Sequence, residues 1–136
     1  MFRIFRLLLR AGVKVGSMSL LTVRGRKTGQ PRTTPVWLAE YDGYRFLVST
    51  YGQTNWVRNL RAAGEATLTH GRRSESIAVV ELGVKEAAPV LRYFVSTIPA
   101  VVRSSFSVTP TSPLPLFEQE VAHHPVFRVM PASPNR

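Results

Sequence analysis

Apolar residues in this chain fall mostly in short β-branched or aromatic runs cut apart by glycine, proline and asparagine, a pattern of strands rather than of long helices. Leu20 to Val23 is one such run; it enters a loop containing Gly25, Gly29 and Pro31, and a second extended run leaves that loop at Thr33. Pro35 to Glu40 and Tyr44 to Thr50 form the next pair, around Tyr41-Asp42-Gly43, whose Asp-Gly step suits a tight hairpin turn. Tyr51-Gly52-Gln53-Thr54 breaks the strand pattern, and the spacing predicts a short helix over Asn55 to Ala63, with Thr54 as N-cap and Gly64 as stop. Its amide-rich first turn follows a strand, a place where backbone donors can face a ligand.

Glu65 to His70 and Ser76 to Leu82 are further strands joined by the basic turn Gly71-Arg72-Arg73-Ser74, which brings a five-strand meander into view. Ala88, Leu91, Phe94 and Val95 give Lys85 to Thr97 helical spacing, ended by Pro99. The proline- and serine-rich stretch from Ser104 to Leu116 reads as a loop or lid. Val126 to Met130 is a last strand before a polar tail. Many short, mainly antiparallel strands with a few helices predict a mainly β (α+β) fold, a small barrel with helices outside it. The expected organisation is an amphipathic basic helix over 1–16, a barrel domain over 17–131 and a polar tail over 132–136.

Charge changes this picture at the N-terminal end. Eighteen Lys and Arg against eight Asp and Glu give a net charge of +10, and every acid lies after Lys27 and Arg32, beginning with Glu40. Arg3, Arg6, Arg10 and Lys14 recur at helical spacing with Phe2, Phe5, Leu8 and Leu9 largely elsewhere. Such a helix can lie in the headgroups of an anionic bilayer or pack on its own domain with its arginines in water. Cations interrupt every window long enough to span a bilayer, and Arg10 splits the apolar run that a secretory signal would need. With 136 residues the chain is expected to form one domain, and the absence of cysteine excludes disulfides and thiolate chemistry and fits a cytoplasmic location.

The loop Gly25-Arg26-Lys27-Thr28-Gly29-Gln30-Pro31-Arg32 combines glycines, which let backbone N–H groups approach a ligand, with fixed positive charge. It has the chemistry of an oxyanion cradle, and the ligand it points to is phosphorylated. A solvated hairpin is the plain alternative.

Gly25-Arg26-Lys27-Thr28-Gly29-Gln30-Pro31-Arg32-Thr33-Thr34-Pro35, followed by the pair of strands across Asp42-Gly43 and by Trp56-Val57-Arg58-Asn59-Leu60, resembles the deazaflavin (F420)-dependent nitroreductase family, also described as F420H(2)-dependent quinone reductases. The likeness covers about residues 18–82. It implies a split β-barrel of the FMN-binding type with flanking helices. It also implies a reduced deazaflavin, coenzyme F420, as hydride donor, and a quinone, enone or nitro compound as acceptor. For some members it implies attachment to the inner membrane face.

Carried over by position, the resemblance assigns the coenzyme's phosphate and acidic tail to Arg26, Lys27 and Arg32, with Gln30 in the same loop. Thr34 and Pro35 would lie beside the ring system, Ser49, Thr50 and Gly52 near its polar edge, and Trp56 and Asn59 would close the pocket. Each has a plain rival: Trp56 as core, Pro35 as the start of a strand, Asn59 as a backbone cap. A lysine common in the family's loop before the tryptophan helix is replaced here by Tyr51, and of the tyrosines that shape its acceptor site in the C-terminal part only Tyr93 has a counterpart, which leaves nitro reduction in doubt.

Hydride delivery to a quinone or enone generates an oxyanion that needs a donor and then a proton. Tyr51, Tyr93, Ser49 or a water are the candidates. The rival reading is a non-catalytic barrel that binds deazaflavin, flavin or a fatty-acyl ligand. Nucleic acid is disfavoured as a partner because the aromatics fall on strand-like runs suited to a core and not on an exposed stacking ladder. The sequence contains no zinc-type histidine spacing, and it leaves the oligomeric state open, a dimer included.

Overall fold

The structure, a computed structural model, describes residues 18–132. The helix expected over 1–16 and all but the first residue of the tail lie outside the described residues. Six strands close into a barrel: β1 (Met18–Arg24), β2 (Pro31–Tyr41), β3 (Tyr44–Val48), β4 (Glu65–His70), β5 (Arg73–Glu81) and β6 (Val126–Pro131). Around the ring the order is β1-β2-β3-β6-β5-β4, every neighbour antiparallel, with β4 returning to β1. This is the split-barrel architecture with flanking helices that the resemblance implies.

The expected meander is corrected in one respect. β3 does not pair with β4; the C-terminal strand β6 inserts between β3 and β5, and closure joins β1 to β4. Pairing across such separations is decided by which apolar faces meet, which local turn signals do not encode. Where the turn is local, it forms as expected: Asp42 (φ 54°) and Gly43 (φ 81°) both adopt the left-handed region that a two-residue hairpin requires, below the Tyr41–Tyr44 pair.

Among the described residues four helices flank the barrel: α1 (Asn55–Ala63), α2 (Val84–Thr97), α3 (Ala100–Arg103) and α4 (Leu114–Glu120). Helix α1 has the predicted bounds, and Gly64 ends it at φ 73°, donating its N–H to Leu60 O at 2.8 Å. Thr54 occupies the N-cap position, but its hydroxyl makes no capping bond. The stretch expected as a loop to Leu116 instead begins α4 at Leu114. Prolines 113 and 115 sit at and just inside the helix start, where a missing N–H forfeits no intrahelical bond, so here they open a helix.

Strand alternation divides the apolar residues between two cores. Leu47 and Phe127 point into the barrel with Leu21, Val23, Ile77 and the α1 residues Val57 and Leu60, so α1 is anchored to the barrel interior. Phe46, Val48 and Val126 point outward, where α2 and α4 cover them with Leu91, Phe94 and Phe117. A helix rooted in the inner core and a strand pair buttressed by the outer one leave rigid walls for what lies between them.

Candidate functional site

A cavity of about 1030 Å³ lies against β2, bounded by the loop after β1, the start of α1 and the Pro99–Val102 segment. Arg26, Lys27, Thr28 and Arg32 form its cationic end. Thr34, Pro35 and Trp37 of β2 form one side, and Thr50, Tyr51, Thr54, Trp56 and Asn59 another. The remaining wall is apolar: Met18, Val48, Pro99, Val101 and Val102. Met18 and Val48 are the register neighbours of Trp37 on either side, so three adjacent strands supply one continuous apolar patch.

The cationic end is held in place by its own bonds. Gly25 N–H donates to Gln30 O at 2.8 Å, Gly29 N–H to Gly25 O at 2.9 Å, and Gln30 N–H to the Thr28 hydroxyl at 3.2 Å. Asn59, 5% exposed, ties the loop to α1: its Oδ1 accepts from the Arg26 backbone N–H at 3.1 Å and from the Arg26 guanidinium at 2.7 Å. Among the described residues no carboxylate pairs with Lys27 or Arg32, whereas Arg45, Arg61 and Lys85 have Glu75, Glu81 and Glu118. The Glu75 carboxyl is held below its ordinary value by the hydrogen bond from Arg45, and Arg45 and Arg61 are raised by their glutamates. Positive charge without local compensation is thus gathered at one end of the cavity.

Of the residues expected at the site, Arg26, Lys27, Arg32, Thr34, Pro35, Thr50, Tyr51, Trp56 and Asn59 line this one cavity. Gln30, Ser49, Gly52 and Tyr93 do not. Gln30 closes the loop through its backbone. Ser49 is fully buried, its hydroxyl donating to Gly52 O at 2.6 Å. Gly52 turns the chain at φ 87°. Tyr93 lies on α2 against Tyr41, with ring centroids 5.3 Å apart. Sequence reasoning missed Met18, Trp37, Val48, Thr54 and the 99–102 segment. Trp37 was within reach, since Pro35 and Trp37 share a strand face; Pro99 to Val102 arrive only through the tertiary fold.

Thr54 Oγ1 is buried on the cavity wall with no hydrogen-bond partner among the described residues. A buried hydroxyl left in this state is costly unless a ligand satisfies it. The cavity thus combines a cationic end, an apolar wall and one unsatisfied polar atom.

A second cavity of about 500 Å³ shares Thr50 and Tyr51 with the first and is completed by Ser105, Ser107, Glu120, His123 and His124. His124 is 3% exposed, stacked on Phe106 with centroids 3.8 Å apart. Its Nδ1 lies 2.8 Å from Ser49 O, and because a carbonyl only accepts, Nδ1 carries the hydrogen. Nε2 lies 3.8 Å from Glu120 Oε2, while Glu120 Oε1 accepts the Ser107 N–H at 2.7 Å. Burial pushes the His124 imidazole below its ordinary value, against the opposing pull of the Ser49 carbonyl, Glu120 and the Ser105 carbonyl. No cluster of His, Cys, Asp or Glu among the described residues is arranged to hold a metal ion.

Residues 9–116 match the family described as F420H(2)-dependent quinone reductase. Among solved structures, the fold is similar to an F420-H2 dependent reductase (FDR-A) at 21% identity and a TM-score of 0.56, covering 83% of this chain and 93% of that one. It is also similar to the conserved hypothetical protein Rv2991 of Mycobacterium tuberculosis (18% identity, TM-score 0.55, 93% and 80% covered). A NimC/NimA family protein of Clostridium acetobutylicum is similar too (12% identity, TM-score 0.56, 85% and 74% covered). At these identities the structural likeness is one of fold. No curated protein matches the chain.

Proposed function

The chain belongs to the F420H(2)-dependent quinone reductase family, and from that premise we propose that it is an oxidoreductase that uses reduced coenzyme F420 to reduce a quinone, enone or nitro-type acceptor. The observation that carries this reading is the pairing, in one cavity, of uncompensated cations at Arg26, Lys27 and Arg32 with an apolar wall centred on Trp37. The coenzyme's phosphodiester and acidic tail match the first and its tricyclic ring the second. Thr54, whose buried hydroxyl has no partner among the described residues, is suited to the polar edge of that ring.

When bound, a reduced deazaflavin supplies a hydride. The work left to the chain is placement, charge and proton handling. Arg26, steadied by Asn59, and the neighbouring Lys27 and Arg32 bind the anionic extension. Thr34, Pro35 and Trp56 flank the ring slot, and Met18, Val48, Pro99, Val101 and Val102 exclude water from the acceptor side. Tyr51 lines the cavity and is 74% exposed, which supports giving its hydroxyl, in contact with bulk water, the task of protonating the acceptor oxygen.

The exposed apolar rim formed by Tyr51 and Val101, next to the cationic loop, supports peripheral contact with an anionic membrane face from which a lipophilic acceptor enters. Among the described residues no helix is long and apolar enough to cross a membrane. The test is to mix the protein with reduced F420, with and without menadione, and follow the coenzyme's absorbance and fluorescence. Acceptor-dependent oxidation is expected. Tight binding without turnover would replace the enzyme by a carrier, and absence of binding would remove both.

A further inference from the structure

The Ser49–Thr54 turn carries Thr50, Tyr51 and Thr54 to the main cavity, yet it lies beyond the end of β3 at Val48 and outside the barrel ladder. Arg61 of α1 donates to the Gln53 side-chain oxygen at 3.0 Å, and the other fastenings come from the turn that precedes β6. Ser49 N–H donates to Pro125 O at 3.0 Å, and the Gln53 side-chain amide donates to Ala122 O at 3.3 Å. A third tie is buried: His124 Nδ1–H to Ser49 O at 2.8 Å.

We propose that His124 is a positioning residue for the cavity, acting through the Ser49 carbonyl to fix the turn that presents Thr50, Tyr51 and Thr54. Its consequence for coenzyme binding rests on the function proposed above, whereas the clamp itself does not. Packing alone does not account for the arrangement. An apolar ring would stack on Phe106 equally well but would leave the Ser49 carbonyl without its buried donor. The imidazole also joins three parts of the chain: the end of β3, the segment after α3 through Phe106, and α4 through Glu120.

The clamp is sensitive to acid. The titratable groups facing the ring are Glu120 of α4 and the adjacent His123; the other elements packed on it offer only the neutral carbonyls of Ser49 and Ser105 and the Phe106 ring. The neutral imidazole suits this enclosure. A proton added to it keeps the bond to Ser49 but calls for hydration that the enclosure denies, so acid favours the opened turn, in which the ring reaches water.

Amide hydrogen exchange of residues 50–54 in the free protein tests this, in wild type, His124→Asn and His124→Phe, above and below about pH 6.5, where an ordinary histidine titrates. The Asn side chain keeps a donor near the place of Nδ1–H and cannot titrate, so it should preserve protection and abolish the acid dependence. The Phe side chain keeps the ring stack and loses the donor, so exchange of the turn should rise roughly tenfold. F420 affinity should fall by a similar factor in His124→Phe and be retained in His124→Asn. Should His124→Phe fail to fold, His124→Leu also removes the donor while keeping apolar bulk against Phe106. Protection in the Phe variant equal to wild type would show the ring to be mere packing and overturn the proposal; so would a wild-type turn whose protection factors, corrected for the intrinsic exchange rate at each pH, do not fall in acid. A turn that loosens as expected in a protein that binds no F420 would leave the clamp standing and refute the proposed function.

Discussion

The Asn59 side-chain oxygen accepts two hydrogen bonds from Arg26, one from its backbone and one from its guanidinium, at 3.1 and 2.7 Å. A neutral, buried amide on a helix therefore sets both the path and the charge direction of the cationic loop. Asn59→Leu should lower stability by ~1–3 kcal/mol by stranding the Arg26 donors, seen in urea melts, and weaken F420 binding. Asn59→Asp should keep the fold and still weaken binding, because it neutralises part of the field. Undiminished affinity in the Asp variant would separate loop geometry from loop charge.

Lys27 and Arg32 have no acidic partners among the described residues, so their removal should leave folding nearly untouched, within about 0.5 kcal/mol. On the proposed function, their contribution is to ligand binding. Lys27→Ala with Arg32→Ala should cost ~2–4 kcal/mol of F420 affinity if each charge-assisted contact is worth ~1.5–3 and the two overlap. Calorimetric titration at two salt concentrations checks this, since the wild type should show the steeper salt dependence.

Val101 is 79% exposed yet lines the cavity, so the neutral substitution Val101→Ser tests the acceptor side without disturbing a core or the field of the cationic loop. The KM for a lipophilic quinone should rise roughly tenfold, the worth of burying a side chain of this size, while F420 affinity and thermal stability stay as they were. Steady-state kinetics with quinones of increasing chain length would show whether the penalty grows with the tail.

Phe117 of α4 is fully buried in the outer core. Phe117→Ala should cost about 3–5 kcal/mol through lost transfer energy and a residual cavity. Denaturant melts should show a lower midpoint, with the slope little changed.

The folded His124 imidazole titrates below its ordinary value because it is buried. Above about pH 6.5 neither the folded nor the unfolded form is charged, and the group is neutral to stability. As pH falls from there to the lowered folded value, the unfolded chain takes up a proton that the native state refuses, so stability is lost progressively and then levels off. Thermal melts of wild type and His124→Asn should diverge across that interval and run parallel above it.

The local part of the fold was legible in the sequence. The Asp42-Gly43 turn, the Asn55–Ala63 helix and its Gly64 stop each follow from residues that allow one conformation and penalise others. The cationic loop was legible because charge and glycine are explicit in sequence. The insertion of β6 was not, since strands choose partners by faces that meet only after collapse. The α4 helix was hidden because proline reads as a breaker unless its place in the first turn is known. Thr54 was legible as a cap but not as an orphaned hydroxyl, and Asn59 as a polar contact but not as the anchor of Arg26, because both depend on what a neighbouring element brings to the same point.

Because β6 slots between β3 and β5, the ring cannot be sealed until Val126–Pro131 have been synthesised. Until then a growing chain carries two bare strand edges, the situation in which unwanted pairing between molecules begins. Folding on the ribosome should therefore be late and abrupt, and a nascent chain stalled before Val126 should depend on chaperones in a way that the finished protein does not.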